Sequence, residues 1–80
     1  MSPTVLRTGA WQVVIHTDDH TPAHVHIRRG SNEVARVQLD PVVVWDSKGL
    51  NTREIGVVEA IVRDNQGLLL AEWDKYHPGR

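Results

Sequence analysis

The sequence predicts an α+β fold, in which a small antiparallel sheet of four or five strands is followed by one or two C-terminal helices packed on one face. β-branched and aromatic residues in alternating patterns dominate the chain up to Trp45. Apolar residues at helical spacing dominate it from Ile55 onward. Strands followed by helices are typical of α+β domains, and we expect the 80 residues to form a single domain over residues 1–80.

Two strands joined by a tight turn are predicted at the start of the chain. Residues 4–6 and 11–16 are rich in β-branched and aromatic types, and Gly9 lies between them as a turn residue. We therefore expect a first β-hairpin.

The third strand is predicted over residues 24–28 because this run alternates strictly between polar and apolar residues. Successive side chains of a strand point to opposite faces, so Val25 and Ile27 share one face. His24, His26 and Arg28 share the other face.

A fourth strand is predicted over residues 34–39, after a turn at residues 30–32. Its odd-numbered residues are apolar and are expected to face inward, whereas Arg36 faces outward, near His26 and Arg28.

A fifth strand is predicted over residues 42–45. It is either buried on both faces or at the sheet edge, because a proline precedes it. We expect its role to be structural in either position.

A helix is predicted to start after Asn51, the N-cap residue, because Glu54 follows at the spacing of a capping box. Apolar residues recur at helical spacing over residues 55–62 and form a stripe for packing on the sheet. Residues 65–67 interrupt or bend this helix, and a second apolar series follows over residues 69–76. The helices are expected to cover one face and to leave the histidine-bearing face open to solvent or a partner.

Composition narrows the classes of function. The net charge of −1 argues against a protein that coats nucleic acid non-specifically. The chain has no cysteine, which excludes disulfides and thiolate-zinc sites, so a metal would need histidine and carboxylate ligands. It also lacks an apolar stretch near the roughly 18 residues of a membrane span, so we expect a cytoplasmic protein with no membrane partner.

Histidines are concentrated at the start of the third strand. Four of the five histidines of the chain lie within residues 16–26, and His20, His24 and His26 are the candidate site residues. Histidine binds metals and transfers protons near neutral pH, so this clustering indicates a functional site. The sequence leaves open whether His16 joins the cluster or packs on the far face.

In a metal-binding interpretation, the ligands are His20, His24 and His26. His24 and His26 project on the same side of a strand, about 6.6 Å apart along it. A third ligand, His20 or Asp19, reaches over from the preceding loop. Such a set could bind zinc, nickel, iron or another divalent metal.

In an acid–base interpretation, the same histidines cleave RNA without a metal or other cofactor. A ribonuclease needs one group to take the 2′-hydroxyl proton and another to protonate the leaving oxygen. His20, His24 and His26 are then the catalytic candidates. Arg28 and Arg36 are the candidate substrate-binding residues, because the arginine fork matches phosphate oxygens.

A structural interpretation of the cluster also remains open. The histidines could hydrogen-bond to neighbours on a wet sheet face. The protein would then be a non-catalytic binding module that docks a partner on this face or on the strand edge at residues 42–45.

The chain also resembles a family of small bacterial proteins known as DUF4160, a domain of unknown function. The resemblance covers nearly the full chain and is most specific in an Asp-His-x-Pro-Pro-His-x-His block, matched here at Asp19, His20, Pro22, His24 and His26. Ala23 stands in place of the second proline.

The resemblance implies one component of a toxin–antitoxin-like pair, with a small cognate protein as partner. The strand histidine followed by a helix start faintly resembles small RNA-cleaving toxins as well. We therefore hypothesise an RNA-acting ribonuclease in such a pair. RNA is then a further partner, and self-association is a further expectation.

Overall fold

A computed structural model describes residues 2–78 as a five-stranded antiparallel sheet followed by two helices. This confirms the predicted α+β class. The strands follow one another in chain order across the sheet, so β1 and β5 form its edges. The elements are β1 (Thr4–Thr8), β2 (Trp11–Val14), β3 (His24–Arg29), β4 (Asn32–Leu39), β5 (Val42–Ser47), α1 (Thr52–Asp64) and α2 (Gln66–Tyr76).

Turns between neighbouring strands follow the predicted pattern. Gly9 and Gly30 have positive φ angles of 57° and 65°, a conformation that glycine adopts without steric cost. Of the two positions considered for the fifth strand, burial on both faces or the sheet edge, the structure has the sheet edge. The strand is two residues longer than predicted. The register shifts so that Arg36 faces Asp46 while Val37 faces Val44, which leaves Trp45 as an extra residue in a β-bulge.

Both helices pack on one face of the sheet, as predicted. The N-terminus of α1 carries the predicted capping box: the Glu54 backbone N–H donates to Asn51 Oδ1 at 2.8 Å, and the Asn51 N–H donates to Glu54 Oε1 at 3.0 Å. The shared core includes twelve buried residues, namely Val13, Ile15, Val25, Ile27, Val34, Ala35, Val37, Leu39, Val58, Val62, Leu69 and Trp73.

The predicted interruption between the helices lies at Asn65. Its side-chain amide donates to the Ile61 carbonyl at 2.8 Å and closes the last turn of α1. Gln66 then begins α2 and donates to the Leu39 carbonyl at 2.6 Å, which ties this helix to the end of β4. Neither helix of the described chain is long and apolar enough to cross a membrane.

The opposite face of the sheet differs from the prediction. We expected His24 and His26 on a solvated surface, but they are only 7% and 6% exposed. They do lie on the face predicted for them. The connection between β2 and β3 runs over this face, and its side chains contact both histidines. The Trp45 and Trp73 rings also lie against His24, with centroids 4.7 Å and 5.4 Å from that of its ring. The burial of the two histidines therefore comes from this loop together with the two indoles.

Candidate metal centre

The β2–β3 connection places a carboxylate against the two strand histidines. The Asp19 backbone N–H donates to the His16 carbonyl at 3.1 Å, so the connection turns back shortly after β2. Asp19 Oδ2 then lies 2.9 Å from His24 Nε2 and 2.7 Å from His26 Nε2. The two imidazole planes are tilted by 58°, which lets their Nε2 atoms approach the same oxygen.

The remaining nitrogen of each ring also has an acceptor. His24 Nδ1 lies 2.9 Å from the Pro22 carbonyl oxygen, and His26 Nδ1 lies 2.9 Å from Glu33 Oε1. A carbonyl oxygen can only accept, so His24 Nδ1 carries a hydrogen. Partners of this kind, on the nitrogen away from the ion, are the ones that fix the tautomer and orientation of metal-binding histidines.

The hydrogen bonds of the two rings indicate whether protons or a metal ion better suit the place where the two Nε2 atoms meet Asp19 Oδ2. All four ring nitrogens face oxygen acceptors. Without an ion, satisfying every contact requires a proton on each nitrogen, and thus two imidazolium cations with centroids 5.2 Å apart. A divalent cation in place of the two Nε2 protons leaves both rings neutral and keeps both Nδ1 hydrogen bonds. The arrangement is therefore well suited to a metal ion.

Asp19 is held in its charged form by this environment. Partial burial by itself raises the pKa of the Asp19 carboxyl group. The hydrogen bond from His26 and the nearby charges of His24, His26 and His16 outweigh burial, so the pKa of Asp19 lies below its ordinary value of 3.8. Asp19 is thus an anion at neutral pH, as a metal ligand must be.

His16 joins the cluster, which settles the alternative that the sequence left open. Its ring stacks on His26 with centroids 3.7 Å apart and planes within 7° of parallel. His16, His26 and Glu33 also form a close group of candidate ligands. However, ring lone pairs lie in the ring plane, so two parallel stacked rings do not direct them at a common ion. We therefore favour the group of Asp19, His24 and His26.

His20 lies apart from the residues with which it was grouped. It is exposed, and it belongs to neither group of candidate ligands found in residues 2–78. Asp19, the other candidate for third ligand, occupies the place expected for His20. The reason is local: the turn that brings Asp19 over the strand leaves its neighbour pointing to the surface.

The two candidate arginines are only partly where we expected them. Arg36 pairs with His26 across the strands, but its guanidinium donates to Asp46, with Nε 3.1 Å from Oδ2. This pairing raises the pKa of Arg36 and lowers that of Asp46. Arg28 Nη2 donates to the Ser31 carbonyl at 2.8 Å in the turn after β3. The Arg28 guanidinium is thus held at this turn.

Sequence reasoning missed Glu33 as a partner of His26. Glu33 reaches His26 across the β3–β4 pair, where the register shifts beside Arg28. No local motif signals this contact. A bulge of this kind changes which side chains share a face, and it is visible only once the strands are paired.

Comparison with known proteins identifies the family. Neither the curated proteins nor the solved structures gave a match to this chain. A family model described as "Domain of unknown function (DUF4160)" matches residues 11–74, a range that includes the β2–β3 connection and most of both helices. The chain therefore belongs to the DUF4160 family, as the resemblance predicted.

Proposed function

We propose that this protein binds a divalent transition-metal ion through Asp19, His24 and His26. The observation that carries the proposal is the convergence of two Nε2 atoms on one Asp19 oxygen, while each Nδ1 atom has its own acceptor. This pattern provides three ligand atoms, two of them on buried histidines, and two orienting partners.

The ligand set favours a particular kind of centre. Two histidines and one carboxylate suit zinc, and they also match the ligand set of non-haem iron enzymes. Three protein ligands leave a coordination position for water or substrate, which is typical of catalytic rather than structural zinc. Nickel remains a third candidate for the same nitrogen and oxygen donors.

Calorimetric titration of the chelator-treated protein with zinc tests the proposal. We expect binding at one equivalent and an increase in melting temperature. Zinc at a hundredfold excess over its dissociation constant adds about 2.7 kcal/mol to the free energy of unfolding. For a chain of this size, that corresponds to an increase of roughly 10–20 °C.

Single substitutions assign the ligands. His24→Ala and His26→Ala should each remove most of the binding, whereas His20→Ala is the matched control because His20 is exposed and outside the group. Titrations in two buffers of different ionisation enthalpy should reveal proton release, because zinc displaces protons from its ligands. Absence of heat and of a melting shift with zinc, nickel and ferrous iron, or loss of binding in His20→Ala, would contradict the proposal.

RNA cleavage is a second candidate function, supported by a different cavity. A cavity of about 240 Å³ is lined by His16, His26, Arg36 and Lys48, together with Glu33, Asp46 and two apolar residues. Two imidazoles beside two cationic side chains provide the groups that acid–base cleavage of a phosphodiester needs. In this version His16 and His26 share the acid–base work that we first expected of His20, His24 and His26.

Expression and RNA-cleavage assays test this second function. Wild type should inhibit growth on expression, and the purified protein should cleave RNA in the presence of chelator. His26→Ala should do neither, and His20→Ala should behave as wild type. Undiminished toxicity of the folded His26→Ala protein would exclude this mechanism. The toxin–antitoxin pairing and the cytoplasmic location stay predictions.

The partner protein and the docking surface are likewise predictions. Val43 and Trp45 of edge strand β5 are 43% and 37% exposed, which suits the strand-edge contact that we considered. Co-purification with a candidate cognate protein, compared between wild type and Val43→Lys, tests this contact: loss of the complex in Val43→Lys is expected, and an unchanged complex would contradict it.

A further inference from the structure

The β2–β3 connection is fixed at both ends but is not buried between them. At its start, Ile15 is completely buried, and its backbone N–H donates to the Pro3 carbonyl at 3.1 Å. At its end, Ala23 packs against the core, and its carbonyl accepts from the Leu39 N–H at 3.0 Å. Between these anchors, none of residues 17–22 is buried. We call residues 17–22 the strap.

One side of the strap borders open space. A cavity of about 410 Å³ lies between the strap and the end of α2, where Trp73, Tyr76 and His77 form its opposite wall. Segments of a protein core are held by close packing on every side. The strap has an open cavity on one side instead, so it has room to move without disturbing the core.

Polar contacts hold the other side of the strap against the sheet. Asp19 Oδ2 lies 2.9 Å from His24 Nε2 and 2.7 Å from His26 Nε2, and the Pro22 carbonyl accepts from His24 Nδ1 at 2.9 Å. A neutral imidazole carries one hydrogen, which in His24 is on Nδ1. In the neutral ring without an ion, His24 Nε2 and Asp19 Oδ2 are therefore two acceptors that face each other. This contact by itself does not attract the strap to β3.

A divalent cation between these atoms has the opposite effect. It attracts the Asp19 carboxylate on the strap and the two Nε2 lone pairs on β3, so it joins the two segments directly. The Nδ1 hydrogen bond of His24 to Pro22 is kept at the same time. Closure of the strap is therefore much more favourable with an ion than without one.

We propose that the strap is closed by metal. A divalent cation bound by Asp19, His24 and His26 fastens residues 17–22 over the sheet face that carries the two histidines, and loss of the ion releases them. This inference rests on the metal centre proposed above and adds regulation to it. Release exposes the Nε2 atoms of both histidines, so the surface that this face presents depends on whether metal is bound.

Hydrogen exchange of backbone amides, followed by nuclear magnetic resonance of the isotope-labelled full chain, tests the inference. The Asp19 N–H is the probe, because it donates to the His16 carbonyl at 3.1 Å and exchanges when this part of the connection opens. The Lys48 N–H is the matched control. It also belongs to an exposed residue and donates to the Val34 carbonyl at 2.8 Å, but it lies outside the proposed metal centre.

Exchange is compared between chelator and zinc at a hundredfold excess over its dissociation constant. We expect zinc to slow exchange of the Asp19 amide about a hundredfold, because an ion that binds only the closed form lowers the open fraction by that factor. The Lys48 amide should change much less, since it exchanges through a separate local opening. In Asp19→Asn, which lacks the anionic ligand, the amide of residue 19 should exchange at the same rate with and without zinc.

Calorimetric titration of the same samples separates the two proposals. If zinc binds but the Asp19 amide exchanges as before, or if the Lys48 amide slows equally, the strap inference is wrong and the metal centre stands. If zinc does not bind, the calorimetry shows that the metal centre itself is wrong, and the strap inference falls with it. The wild-type comparison decides the matter even if Asp19→Asn does not fold.

Discussion

The two faces of the sheet are both covered, but by different chemistry. On one face, α1 and α2 cover apolar side chains, and residues such as Leu69 and Val37 are completely buried. On the other face, a loop covers His24 and His26, which contact carboxylate and carbonyl oxygens. The first face is stabilised mainly by removal of apolar surface from water, which does not depend on pH. The second face is stabilised by charges and hydrogen bonds, so its contribution changes with protonation and with bound metal.

This difference indicates where each property of the protein resides. Apolar packing is non-directional, so the helix-covered face accounts for folding without specifying any chemistry. Buried imidazoles and carboxylates are costly unless each polar atom has a partner. The loop-covered face is therefore where we expect function.

The largest loss of stability is expected from a side-chain truncation on the helix-covered face. Leu69→Ala should lower the free energy of unfolding by about 2–5 kcal/mol, because it leaves a cavity in a fully buried position. Leu68→Ala is the matched control, since Leu68 is 47% exposed and its loss should cost little. Urea unfolding measures both. Equal effects at the two positions would contradict the assignment of α2 to the core.

A smaller loss of stability, which depends on pH, is expected on the loop-covered face. In the absence of metal, Asp19→Asn should cost about 1–3 kcal/mol at pH 7, because it weakens the contacts to both histidines. The folded pKa of Asp19 lies below 3.8. Its contribution is therefore complete above that value and is lost as the pH falls through the folded pKa.

Unfolding measured as a function of pH checks this prediction. The stability curves of wild type and Asp19→Asn should converge once the pH falls below the folded pKa of Asp19, which itself lies below 3.8. Asp18→Asn, a change at the exposed neighbouring residue, should match wild type throughout. A gap between wild type and Asp19→Asn that stays constant with pH would show that Asp19 contributes through shape rather than charge.

Removal of the helix cap tests whether the two faces contribute independently of each other. Asn51→Ala deletes half of the capping box and should cost about 1 kcal/mol, whereas Asn51→Ser should retain most of the stability. Because the cap belongs to the helix-covered face, the affinity for zinc should not change. A loss of zinc affinity in the folded Asn51→Ala variant would mean that the two faces are coupled.

The smallest effect is expected for the ion pair between Arg36 and Asp46. Arg36 lowers the pKa of Asp46, but both side chains are exposed, and exposed pairs contribute little to stability. Asp46→Asn should therefore leave the urea midpoint close to that of wild type. A loss of stability as large as that of Asn51→Ala would mean that this pair contributes as a buried pair does, and would contradict the prediction.

Much of the fold could be predicted from local patterns. Period-two alternation identified the inward residues of β3 and β4, and the Asn51–Glu54 spacing identified the start of α1. The strand ends were less accurate, because β2 stops at Val14 and β5 continues to Ser47. Strand ends depend on where a neighbouring strand stops pairing, which no local pattern encodes.

The candidate site was only partly predictable. Alternation placed His24 and His26 on one face, and the sequence offered Asp19 as an alternative third ligand. It did not reveal that His16 stacks on His26 or that Glu33 bonds to it. It also grouped His20 with the other two histidines, although the loop turns it outward.

The sequence by itself determined which strand face carries the histidines, where α1 begins and which side chains of β3 and β4 face the core. These features depend on backbone periodicity and on contacts within a few residues. Only the tertiary structure decided that Asp19 lies between two Nε2 atoms, that the histidine face is covered, and that Trp73 and His77 meet the β2–β3 connection at a cavity. Those contacts join a loop to a strand and to a helix more than fifty residues away. They exist only after the core has packed, because the position of each segment relative to the others is set by apolar burial that several segments share, and not by contacts within a few residues.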